Sequence, residues 1–96
     1  MKRQGDLLIQ KVKSIPRFAS KKDSRVLAEG EATGHLHELD SGDVYELNGV
    51  LYFKVAEEKA AVLNHPEHKA VTFEPGVYKV VRQREYEPRG WRNVSD

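Results

Sequence analysis

The dipeptide Asn48-Gly49 restricts this chain's fold more than any other feature. It stands between two apolar-rich runs, Val44-Tyr45-Glu46-Leu47 and Val50-Leu51-Tyr52-Phe53-Lys54-Val55. A two-residue type I′ turn needs positive φ at both central residues, and Asn-Gly is the pair that adopts it most readily. The twist of that turn matches two right-twisted antiparallel strands, so the segment reads as a β-hairpin. The loop length also sets the register. Leu47 should face Val50, and Tyr45 should face Tyr52 as an aromatic cross-strand pair.

The rest of the chain is punctuated in the same way. Apolar runs are short, Gly and Pro recur, and no segment sustains apolar spacing at three and four residues. Asp6 to Val12, Arg25 to Glu29 and His35 to Leu39 each read as a strand. A second hairpin is expected from Lys69–Phe73 and Val77–Tyr86, joined by the turn Glu74-Pro75-Gly76. Ala60 to Leu63 is ambiguous between helix and strand, because Ala and Leu suit a helix but His65-Pro66 closes the run. Ser14 to Ser24 reads as a loop. The expected fold is therefore mainly β, a small antiparallel barrel or roll of about seven strands with little helix. Residues 1–96 are expected to form a single β domain, with 88–96 as a flexible C-terminal tail.

Composition narrows the chemistry. The chain has 96 residues and no cysteine, which excludes disulfides, zinc–thiolate clusters and cysteine nucleophiles. A secreted domain this small usually needs disulfide staples, so a cytoplasmic location is expected. No signal-peptide core follows the N-terminus, and no apolar run approaches the length of a membrane helix. No membrane partner is expected, and the chain should be a monomer or a small homo-oligomer.

Charge is segregated along the sequence. Residues 1–25 carry eight basic and two acidic groups, residues 26–58 one basic and eight acidic, and residues 59–96 seven basic and five acidic, for a net +1. Such a pattern marks either a polyanion-binding face or two segments that neutralise one another in the fold.

All four histidines lie in two close pairs, Gly34-His35-Leu36-His37 and His65-Pro66-Glu67-His68. Residues two apart on a strand project from one face, so His35 and His37 can grip one ion together. Neutral imidazole suits zinc, copper, iron and nickel. His65 and His68 can converge around a proline turn. The leading reading is a metal- or small-ligand-binding domain with one divalent transition metal such as zinc, its ligands drawn from His35, His37, His65 and His68. The plain alternative is that these rings are ordinary polar loop residues. Paired imidazoles can also act as general acid and base, but the sequence singles out no catalytic residue.

His35-Leu36-His37 on a presumed strand, a later carboxylate, a later histidine and the turn Pro75-Gly76-Val77-Tyr78 resemble a much reduced cupin. That resemblance implies a metal held inside a β-barrel, with Asp40 as the nearest stand-in for the family's glutamate. The whole chain is also similar to small bacterial proteins that carry Gly-His-x-His and a late Arg-Gln-Arg-Glu-Tyr. That likeness implies no activity.

A second functional reading comes from Arg82-Gln83-Arg84-Glu85-Tyr86-Glu87-Pro88-Arg89-Gly90-Trp91-Arg92. Arginine forks grip phosphates, and aromatic faces stack on bases. Arg82, Arg84, Arg89, Trp91 and Arg92 would then form an interaction surface for nucleic acid or a protein partner. The sequence pI of about 8.0 is low for a dedicated nucleic-acid binder.

Overall fold

The computed structural model describes residues 1–30 and 33–82. The described residues form strands β1 (Lys2–Gln4), β2 (Leu7–Val12), β3 (Ser20–Lys22), β4 (Val26–Glu29), β5 (Leu36–Leu39), β6 (Asp43–Leu47), β7 (Val50–Val55), β8 (Ala61–Asn64), β9 (Val71–Phe73) and β10 (Gly76–Arg82), and no helix. Two antiparallel sheets result, a six-stranded one in the order β1-β2-β10-β7-β6-β3 and a four-stranded one in the order β4-β5-β8-β9. The mainly β expectation holds. The barrel does not form, because each sheet keeps two edge strands. The closed barrel implied by the cupin likeness is therefore absent from the described residues.

The Asn48-Gly49 hairpin has the expected geometry. Asn48 and Gly49 take φ of 52° and 82°. Leu47 faces Val50, and Tyr45 faces Tyr52. The second expected hairpin does not exist. Val71–Phe73 pairs with β8, whereas Gly76–Arg82 pairs with β2 and β7 in the other sheet. The turn at Pro75 thus carries the chain from one sheet to the other. The buried Phe73 and Tyr78 lie on either side of this crossing, and each packs against Phe53. Burying these rings between the layers outweighs the short local pairing that a hairpin would supply.

Two strands lie where none was expected. β3 falls inside the presumed loop 14–24. It is an exposed edge strand whose Lys21 and Lys22 pair with Asp43 and Glu46 of β6, at 3.4 and 3.2 Å. Here the basic N-terminal segment neutralises the acidic middle one. β1 folds back on β2 through the two-residue loop Gly5-Asp6. Gly5 takes φ of 61°, which a type II′ turn requires at its first central residue. The ambiguous segment 60–63 resolves as β8, because its alternating burial fits period two.

The core lies between the sheets. Leu7, Ile9, Val44, Phe53, Val55, Tyr78 and Val80 face inward from one layer, and Leu27, Ala28, Leu39, Ala61, Leu63 and Phe73 from the other. Phe53, Phe73 and Tyr78 form a triangle with ring centres 5.0 to 5.2 Å apart. The hydroxyl that Tyr78 buries beside this triangle donates to Glu74 O at 2.7 Å, which satisfies it.

Candidate functional site

The pairing of β5 with β8 assembles the histidines. Glu38 faces Asn64 and Leu39 faces Leu63. One step further along the same register brings position 37 beside 65, and two more bring 35 beside 67. Pro66 cannot donate to a ladder, so the chain turns there and returns His68 to the same place. His65 is the hub. Its ring centre lies 4.3 Å from that of His37, 4.5 Å from His68 and 5.7 Å from His35. His37 and His68 stand 6.1 Å apart with nearly parallel planes. All four sequence-predicted imidazoles therefore meet in one cluster.

The protonation states follow from the hydrogen bonds. Gln4 of β1 is buried, and its amide nitrogen donates to Leu63 O at 2.9 Å and Lys69 O at 2.8 Å. Two carbonyls accept only, which fixes the amide's orientation. Gln4 Oε1 then accepts from His37 Nδ1 at 2.9 Å. His37 is consequently the Nδ1–H tautomer, with the Nε2 lone pair left free. His37 is 5% exposed, and its pKa is lowered to about 4. Burial is the main cause, followed by the neighbouring charge of His65. Asp6 opposes the shift, while His68 and Arg82 add to it. The pKa of His65 is also lowered, by desolvation first and then by His68 and His35, against Glu67 and Asp6.

The other rings hold different arrangements. His65 Nδ1 accepts the Glu67 backbone N–H at 3.0 Å, so neutral His65 carries its proton on Nε2. His35 Nδ1 is buried without a hydrogen bond and lies 3.7 Å from Glu67 Oε1. Gly5 lies under the cluster: a Cβ there would stand 2.9 Å from His68 Nε2 and 3.3 Å from His37 Cε1. The β1–β2 turn thus approaches the rings as closely as only glycine permits. Among the described residues, no three His, Asp or Glu side chains surround a common ion position as they stand. An open groove of about 530 Å³ borders the cluster, with His35, Leu36, Asn64, His65 and Pro66 in its wall.

Gln4 is the site residue that sequence reasoning missed. The available signal was Gly5-Asp6 between Lys2-Arg3-Gln4 and Leu7-Leu8-Ile9, a hairpin dipeptide that places Gln4 on a paired strand. Replacing Gln4 with methionine should cost about 1–3 kcal/mol, because the buried Leu63 carbonyl and His37 imidazole lose their hydrogen bonds together with the Lys69 carbonyl. Urea unfolding of Gln4→Met checks this, and an unchanged midpoint would contradict it.

The second expected surface lies mostly outside the described residues. Arg84, Arg89, Trp91, Arg92 and the tail 88–96 are not among them. Arg82 ends β10 half-buried, and its guanidinium donates to Asp6 Oδ2 at 3.3 Å. No helix among the described residues is long and apolar enough to cross a membrane.

No curated protein and no solved structure matches the chain. The family described as Domain of unknown function (DUF8820) matches residues 3–83, a span that holds both strand layers and all four histidines. The chain belongs to the DUF8820 family.

Proposed function

We propose that this domain binds one divalent transition metal, such as zinc, through its imidazole cluster. The observation that carries the reading is the meeting of all four rings around His65, with His37 held by Gln4 as a neutral Nδ1–H tautomer. Neutral imidazole is the ligating form, and the lowered pKa values of His37 and His65 keep both rings neutral at pH 7. A buried amide on the far nitrogen is the kind of outer contact that orients a metal-ligating histidine.

Two ring spacings suit the reading, His35–His65 at 5.7 Å and His37–His68 at 6.1 Å, whereas the His37–His65 and His65–His68 pairs, at 4.3 and 4.5 Å, must open to share an ion. Zinc–nitrogen bonds of about 2.0–2.1 Å put two rings that share an ion roughly 5–6 Å apart, centre to centre. His37 is the preset ligand. His68 is exposed and joins by side-chain rotation. His35 brings a nitrogen without a partner, and His65 joins by giving up the Glu67 N–H.

Calorimetric titration with zinc at pH 7 tests the proposal. The intact protein should bind about one equivalent with roughly micromolar affinity. His65→Ala/His68→Ala, which leaves the buried His37 in place, should bind at least about tenfold more weakly. No heat above dilution, or equal binding by the double variant, would overturn the reading.

A further inference from the structure

A second groove, of about 390 Å³, lies where β6 and β7 meet the segment before β4. Arg25, Ser41, Asp43, Tyr45, Lys54 and Lys59 contribute to its wall. It shares no wall residue with the groove beside the histidines. Arg25, Lys54 and Lys59 are the only Lys or Arg residues between positions 25 and 59. Eight acidic residues occupy that same stretch, yet Asp43 alone of them enters the wall. The fold has therefore gathered every cation of an acidic stretch into one concavity.

The cations are only partly offset in place, by Asp43, which stands opposite Lys54 across the β6–β7 pair. Asp43 already pairs with Lys21 at 3.4 Å. Arg25, Lys54 and Lys59 form no ion pair among the described residues. Arg25 is aimed by its Nε, which donates to Gly42 O at 2.9 Å, leaving the outer guanidinium nitrogens for an anion. Ser41 Oγ donates to Ala60 O at 3.0 Å, which ties the wall carrying Lys59 to the β5–β6 turn.

From this convergence we infer that the groove binds a small phosphate-bearing molecule. Three cations around one concavity match the charge of a phosphate or diphosphate, and the volume lies in the range of small-ligand sites. Tyr45 supplies an aromatic wall beside the charge. An extended polyanion fits poorly, because Glu57 and Glu58 lie in the same turn as Lys59, and Asp23 lines the adjoining groove.

The test is a two-dimensional amide NMR titration of the whole protein with inorganic pyrophosphate, at low ionic strength and again at about 0.15 M salt. Shifts should concentrate at residues 25, 41–45 and 54–59. Lys54→Gln/Lys59→Gln should weaken binding about tenfold or more, while Lys13→Gln/Lys69→Gln, with the same charge change outside the groove, should not. Four results would overturn the inference: no shifts at low salt, shifts spread over all basic residues, equal weakening by both double variants, or tighter binding of a single-stranded oligonucleotide than of pyrophosphate. Neither double variant touches a histidine, so this test and the zinc titration fail independently.

Discussion

Acidifying the metal-free protein from pH 6.5 to about 4 is expected to remove about 3 kcal/mol of unfolding free energy through His37 alone. In the unfolded chain this imidazole takes up its proton near pH 6.5. In the fold it resists protonation down to about 4, chiefly because it is buried. Between those values the unfolded state binds one more proton than the native state, so acid favours unfolding. Above pH 6.5 the contribution is complete, and it is lost as the pH falls toward 4. The lowered pKa of His65 acts in the same direction. A domain of this size commonly has a total stability of about 5–15 kcal/mol, so the loss is a substantial share of it. Urea midpoints of the native protein and of His37→Gln, measured from pH 7 to 4, isolate the effect. The native protein should lose more stability than the variant, and parallel profiles would show that His37 is not the acid-sensitive group.

Phe53→Ala is expected to cost about 3–5 kcal/mol, the usual range for deleting a buried aromatic ring. Phe53 has no exposed surface, and its ring packs against both Phe73, in the other layer, and Tyr78. Its removal opens a void between the sheets where neither layer can collapse without breaking strand pairing. The thermal midpoint should fall by roughly 15 to 30 °C. Phe53→Leu keeps most of the volume and should cost clearly less. Equal midpoints for Phe53→Ala and the native protein would mean that the triangle does not hold the layers together.

What could be read before folding was local. Asn48-Gly49 specified its hairpin to the residue, since a two-residue loop leaves no freedom in register. Alternation along 77–82 marked a strand, but nothing in its pattern names its neighbours, and it proved to lie between β2 and β7. Pro75-Gly76 marked a change of direction, which falls at Pro75, with Gly76 already opening β10. Whether a turn closes a hairpin or changes sheets depends on where Phe73 and Tyr78 find a core, which is a property of distant residues. The histidine pairs stood out because no other histidine occurs. Their meeting depends on the β5–β8 register, and the buried amide that sets the His37 tautomer comes from β1, more than thirty positions away in the chain. Long-range contacts of that kind leave no trace in spacing.

The place of β10 has a kinetic consequence. β2 near the N-terminus and the β6–β7 hairpin share a sheet only because β10 lies between them. On the ribosome, those earlier strands therefore wait, with their inner ladder positions unclaimed, until residue 82 has left the exit tunnel. β10 follows both of its partners in the chain, so it fastens the large sheet after they are made, and assembly of that sheet should be slow, as befits contacts of wide sequence separation.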